Sequence, residues 1–192
     1  PRGGIDLART PYIQEDHPRW CHLDTASFRR GSFRLPFLQC RFQTMHESTS
    51  MLINRGYTNE VFEKALSLLK QNNITTIVHI INGLPNETSI DMINTVKYLN
   101  KLPIQGIKIH MLSITKDTPI EKMYQKEKFK LLTKEEYIDI VICQLELLRP
   151  EIVIHRITGD PKMDELIEPE WLIKKFCVLN DIDKEMVKRD TY

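Results

Sequence analysis

The stretch Thr75-Thr76-Ile77-Val78-His79-Ile80-Ile81-Asn82-Gly83-Leu84-Pro85-Asn86-Glu87-Thr88 decides how the chain reads. Residues 75–81 are β-branched and apolar on both faces apart from His79. That pattern predicts a strand buried in a parallel sheet rather than the alternating strand of a half-solvated one. The run breaks at Gly83, where a chain without a Cβ can turn and let a ligand approach its backbone. Thr88, with Asp91 three residues on, is a capping box that opens a helix, and the helix N-terminus favours an anionic or polar group. Ligands of parallel α/β sheets bind at the carboxyl ends of strands, so this turn is a candidate site. On its own a Gly-Leu-Pro turn is weak evidence for a ligand loop and is more often an ordinary strand-to-helix turn.

The same alternation extends in both directions. Residues 37–44 predict a strand, followed by a helix from Glu60 to Asn72 with Val61, Ala65, Leu68 and Leu69 on one face. The capped helix after Thr88 turns Met92, Val96 and Leu99 inward, and Ile104–Leu112 is the next strand. Thr133 and Glu136 repeat the capping device before a helix through Tyr137, Val141, Leu145 and Leu148 that stops at Pro150. Glu151–Ile157 reads as a fourth strand and Trp171–Arg189 as a closing helix. Strand–helix–strand units of this kind predict an α/β fold with parallel strands and outer helices. Four strands make half a barrel, so the edge at residues 37–44 is expected to be open and to call for a covering partner or a missing N-terminal part.

Upstream of Pro36 the apolar residues follow neither period. The first 41 residues hold seven Arg and no Lys, against four Arg and sixteen Lys in the remainder, which marks a break in composition. Residues 1–36 are therefore read as an irregular or foreign segment and 37–192 as the folded part. With 27 Lys plus Arg, 26 Asp plus Glu and a net charge of +1, the chain has no field that would draw nucleic acid or an anionic membrane. It has no apolar run near the roughly 20 residues that span a bilayer. Cys21, Cys40, Cys143 and Cys177 lie far apart without a CxxC pair, which suits reduced thiols and a cytoplasmic location better than a disulfide framework or zinc site.

Taken together, Gln43-Thr44, Ile53-Asn54-Arg55-Gly56, His79 to Pro85 with Glu87-Thr88, Gly106 to His110, Thr118-Pro119 and Arg189 to Tyr192 make the chain resemble the radical SAM superfamily. The likeness is to the C-terminal part of a bacterial group of uncharacterised function and, more distantly, to the oxygen-independent coproporphyrinogen oxidases. It covers residues 38–192 and implies a partial radical SAM βα barrel with a helical tail. It also implies S-adenosyl-L-methionine (SAM) and a [4Fe–4S] cluster as cofactors of the complete parent, an oxidoreductase-like iron–sulfur enzyme. In those relatives a Gln ending the fourth strand and an Arg twelve residues later contact SAM, a spacing kept by Gln43 and Arg55. His79 stands where they carry a ribose-binding Asp, Ile81 would lie against adenine, and Gly83 belongs to the cofactor loop. No three cysteines have the CxxxCxxC spacing, so the cluster is not expected on this chain and the chain alone is expected to be inactive.

Lys108, His110, His155 and Arg156 form a second constellation on the strands themselves. Alternation puts Lys108 and His110 on one face, where ammonium and imidazole groups can bind an anionic substrate or move protons. Single strand histidines are often satisfied core groups, and a metal reading lacks an acidic partner fixed by sequence. The sequence leaves the substrate unnamed. The rival reading is a non-catalytic half-barrel that binds a nucleotide or a protein partner. A hydrolase would need paired carboxylates at strand ends, and none of the four strands supplies them.

Overall fold

A computed structural model of the chain describes residues 21–23, 37–159 and 161–191. Its main sheet has five strands in the order β1-β2-β3-β4-β6. These are β1 (Cys21–Leu23), β2 (Phe37–Gln43), β3 (Thr75–Asn82), β4 (Gly106–Met111) and β6 (Val153–Arg156). β2, β3, β4 and β6 are mutually parallel, as the doubly apolar strands predict. A small antiparallel pair, β5 (Ile114–Thr115) with β7 (Leu166–Glu168), lies outside this sheet and escaped the sequence reading, being only two and three residues long.

The expectation of an open edge at residues 37–44 is corrected. β1 pairs antiparallel with β2 in the register Cys21↔Cys40, His22↔Gln39 and Leu23↔Leu38. Three residues suffice because they satisfy the backbone groups of the middle of β2, and no period can be read from so short a run. The rest of the segment expected to be irregular, residues 1–20 and 24–36, lies outside the described residues.

The helices are α1 (Glu47–Leu52), α2 (Asn59–Gln71), α3 (Ser89–Leu99), α4 (Pro119–Lys126), α5 (Lys134–Leu147) and α6 (Lys175–Arg189), with a 3-10 turn at Glu170–Lys174 before the last. Both expected capping boxes are present, Thr88 with Asp91 and Thr133 with Glu136. Such a cap stabilises its helix by roughly 1 kcal/mol. The helices cover one face of the sheet. Leu38, Cys40, Phe42, Val78, Ile80, Ile107 and Ile109 point into that layer and form its core with Phe62, Leu66, Val96, Leu99, Tyr137 and Val141. Phe42 stacks on Phe62 at 4.4 Å and on Tyr98 at 5.6 Å. Burying an aliphatic side chain of this kind contributes about 1.5–3 kcal/mol, so this layer supplies the main stabilisation of the fold.

Apart from the buried Ile77, the alternate residues of β2 and β3 face the other way and stay only partly covered. Along β2 and β3 the even positions are buried while Gln39, Arg41, His79 and Ile81 are half-buried or exposed. This second face would be the interior of a barrel, and it carries the polar residues.

Candidate functional site

The site is assembled by strand register. Pairing sets Arg41 beside His79, His79 beside Lys108, and Lys108 beside Arg156. One level nearer the carboxyl ends, Ile81 pairs with His110. His79 and His110 therefore stack, with ring centroids 5.3 Å apart and planes 12° from parallel. The ring of His155 lies over Gly106, where an added Cβ would meet its Cδ2 and Nε2 at 2.7 Å, and it faces Phe37 at 6.5 Å. Gly106 is thus the gap that lets an imidazole lie on the sheet. Lys108, His110 and His155, joined only by alternation in the sequence, meet on this one face together with His79.

Gln39 ties the group together. Its Oε1 accepts from Lys108 Nζ at 2.7 Å and lies 2.8 Å from His79 Nε2. An ammonium can only donate, so the atom facing it is the amide oxygen and His79 must carry its proton on Nε2. His79 is then an acceptor at Nδ1. Burial lowers its pKa to about 3, reinforced by His110, Lys108, Arg41 and Arg156. Burial likewise lowers His110 to about 4, with Arg156 and Lys108 adding to the effect. His155 is lowered by burial and by Lys108. All three imidazoles are neutral bases near pH 7. His110 Nε2 is buried and has no hydrogen-bond partner, whereas most buried polar atoms are satisfied.

The loops at the carboxyl ends are held rigidly. A bulge between Arg41 and Gln43 and a left-handed φ of 67° at Gln43 end β2, so Gln43 leaves the parity that the sequence alone implies. Thr44 donates to Glu87 Oε1 at 2.5 Å, joining the turn after β2 to the turn after β3. Burial raises the pKa of Glu87, and the hydrogen bonds from Thr44 and Thr49 oppose that rise. Gly83 turns with φ 84°, and its neighbour Asn82 exchanges two hydrogen bonds with Gln144 at 2.8 and 2.9 Å. Gln144 also donates to Met92 O at 3.0 Å. Both amides are at most 1% exposed, so the Gly83 turn is pinned to α3 and α5 from beneath.

Arg55, whose spacing from Gln43 carries the expectation of a contact with SAM, is turned into the chain. Its side chain is 1% exposed. It donates to Tyr57 O, Thr44 O, Phe42 O, Asn59 Oδ1 and Glu47 Oε2 at 2.7–3.3 Å. A guanidinium has five N–H donors, and here each has a partner within the chain. The guanidinium also sits over the rings of Phe42 and Tyr57 at 5.2 and 4.7 Å. Arg55 holds the loop between β2 and α2 in place.

Gln39, Arg41 and the Asn82–Gln144 pair were not singled out by sequence reasoning. Gln39 and Arg41 fall at the break in composition, and their membership follows from register alone. The Asn82–Gln144 pair spans 62 residues. A polar residue ending an apolar strand just before glycine was its one local signal.

Parts of the chain are similar to known proteins. Residues 104–188 match the family model of the Radical_SAM C-terminal domain. The chain is 40% identical over 156 residues to the uncharacterized protein YtqA of Bacillus subtilis, covering 81% of this chain and 48% of YtqA. It is 33% identical over 150 residues to the uncharacterized protein MJ0486 of Methanocaldococcus jannaschii, covering 78% of this chain and 47% of that protein. The chain thus spans about half the length of the curated relatives it matches. A solved structure of Elp3 from Methanocaldococcus infernus superposes with a TM-score of 0.71 at 18% identity, covering 80% of this chain and 36% of that one. That likeness shows the fold. The family match likens residues 104–188 to the C-terminal domain of radical SAM proteins, and the superposition likens the fold to part of Elp3.

Among the described residues no group of three or more His, Cys, Asp or Glu is arranged to hold a metal ion, and Cys143 and Cys177 are free thiols. The described residues do not fit a [4Fe–4S] cluster. Among the described residues no helix is long and apolar enough to cross a membrane.

Proposed function

We propose that this chain forms the half of a radical SAM enzyme that supports SAM and presents the substrate, with cluster ligation belonging to sequence outside these residues. The carrying observation is that the Gly83 turn and the polar face of β3, β4 and β6 adjoin at the carboxyl ends of parallel strands, in a chain whose residues 104–188 match the family model. In the complete enzyme SAM supplies a hydrogen-abstracting radical. The part played by this chain is to bind, orient and exclude water. Gln43, Ile81 and the Gly83 turn would line the cofactor end, and His79, held by Gln39, would offer Nδ1 to a ribose hydroxyl. Arg55 serves the same end from beneath, by fixing the loop that bears Gln43 and Thr44. Lys108, His110, His155 and Arg156 would line the substrate end. The spacing of Gln43 and Arg55 supports kinship with the oxygen-independent coproporphyrinogen oxidases, and the absence of CxxxCxxC supports an isolated chain without turnover.

Titration calorimetry of SAM into the chain tests this reading. Without the cluster the binding should be no tighter than roughly millimolar. His79→Ala and Gln43→Ala should each weaken it by about two- to tenfold, the equivalent of one neutral hydrogen bond. Equal affinities for all three proteins would remove these positions from the SAM site.

A second reading, a half-barrel that binds a protein partner, is favoured by β6. Among the described residues it is the last strand of the parallel sheet, with Val153 59% and Ile154 45% exposed and Phe176 71% exposed on the neighbouring α6. Exposed edges of this kind pair readily with another strand.

A further inference from the structure

Glu87 lies in the turn between β3 and α3, shortly past Gly83, and is half-buried. Its Oε1 accepts from the hydroxyl of Thr44 at 2.5 Å, and Thr49 on α1 gives it a second hydroxyl bond. Thr44 itself is fully buried. The contact belongs to a series, because the next two residues of the turn after β2 reach the same region. Met45 N–H donates to Thr95 Oγ1 on α3 at 3.3 Å, and His46 Nε2 lies 3.2 Å from Asp91 O and 3.6 Å from Asp91 Oδ1. His46 N–H also donates to Thr44 Oγ1 at 3.1 Å, so the Thr44 hydroxyl both gives and takes a hydrogen bond.

Strained backbone flanks the Thr44–Glu87 bond on both sides. Gln43, immediately before Thr44, has φ 67°, and Asn86, immediately before Glu87, has φ 66°. Left-handed backbone is unfavourable for a residue that carries a Cβ, and it persists where the surroundings over-determine it. The bond joins the two residues that directly follow, so it helps to hold both turns.

We propose that Glu87 is a positioning residue of the cofactor end: it clasps the turn after β2 to the turn after β3 and so sets where Gln43 stands relative to the Gly83 turn. This deepens, and rests on, the assignment of Gln43 and the Gly83 turn to SAM. Glu87 acts through Thr44, the neighbour of Gln43, and its carboxylate suits the task because hydroxyls from two different elements converge on it. The task calls for an acceptor rather than a charge. The amide oxygen of a Gln accepts from Thr44 in the same way, and its NH₂ donates to Thr49, whose hydroxyl can turn to accept. An Ala leaves the buried Thr44 hydroxyl without its acceptor.

Amide hydrogen exchange of the intact chain, read by NMR, tests the clasp. Glu87→Ala should speed exchange at Thr44, Met45 and His46 by about tenfold relative to the amides of α5, the equivalent of one lost hydrogen bond, and Glu87→Gln should restore it. Thr44→Val cuts the same bond from the other side and should speed exchange at Met45, which keeps the test valid should Glu87→Ala fold poorly. SAM titrated into the same proteins should bind about two- to tenfold more weakly to Glu87→Ala than to the unaltered chain or to Glu87→Gln. Unchanged exchange in Glu87→Ala and Thr44→Val, or equal loosening by Ala and Gln at position 87, overturns the proposal. Loosened amides with unchanged SAM affinity in Glu87→Ala, while Gln43→Ala still weakens SAM, also overturn it and leave the SAM site standing. If the unaltered chain takes up no SAM, the assignment to SAM falls, and the exchange rates with their rescue by Gln decide the clasp by themselves.

Discussion

Replacing Gln144 by Leu should destabilise the chain through Asn82 rather than through packing. Leu is close to Gln in size, so little cavity forms at this fully buried position. Asn82, itself 1% exposed, loses both the acceptor for its Nδ2 and the donor to its Oδ1. Each of the two buried polar groups left unpaired costs about 1–3 kcal/mol, and the more apolar side chain returns about 1 kcal/mol, for a net loss of roughly 1–5 kcal/mol. Replacing both partners removes the unpaired groups. Asn82→Leu with Gln144→Leu should therefore lie within about 1 kcal/mol of the unaltered chain, a coupling of about 2 kcal/mol or more between the two sites. Urea denaturation followed by circular dichroism gives the four stabilities, compared at equal slope. A double variant as unstable as the sum of the two single variants would refute this account of the pair and of how the Gly83 turn is held.

Three further outcomes follow from the geometry. His79 and His110 protonate near 3 and 4 when folded and near 6.5 when unfolded, so the unfolded chain binds more protons in that window. Their contribution is complete above pH 6.5 and is lost as pH falls toward 4. Discounting the ideal slope by half for partial exposure gives a loss of about 2 kcal/mol between pH 7 and pH 5. Glu87, whose pKa is raised, opposes this trend, so urea midpoints should be compared with those of the His79→Gln/His110→Gln variant, which should show the flatter dependence. Identical pH profiles would show that neither histidine is linked to folding. Gly83→Ala should cost about 1–3 kcal/mol, because φ is 84° and the new Cβ meets Leu132 Cδ1 at 3.2 Å; thermal melting that leaves Tm unchanged would contradict the strain. Gly106→Ala should cost about 1–3 kcal/mol, since the exposed His155 ring can swing aside but the new Cβ also meets the buried Ile77 Cγ1 at 3.0 Å, and it should shift the His155 resonances strongly. Unmoved resonances would mean that the ring does not lie on the sheet.

The sequence by itself determined the class of fold, the four parallel strands and the two capping boxes. These rest on local physics: doubly apolar runs of β-branched residues, a helical period of 3.6, and side chains that cap the backbone three residues away. It also brought Lys108 and His110 to one face, because strand alternation is a local property. Tertiary structure decided how the strands lie beside one another, and register is a relation between segments that no single window of sequence contains. Register makes a row of Arg41, His79, Lys108 and Arg156, lets His155 cross to Gly106, and gives Gln39 its two partners. It places β1 on an edge that the sequence left open. The bulge at Gln43 and the burial of Arg55 are of the same kind. One inserted residue resets side-chain direction, and an arginine's five donors are spent or spare according to what surrounds it, which only the folded chain decides.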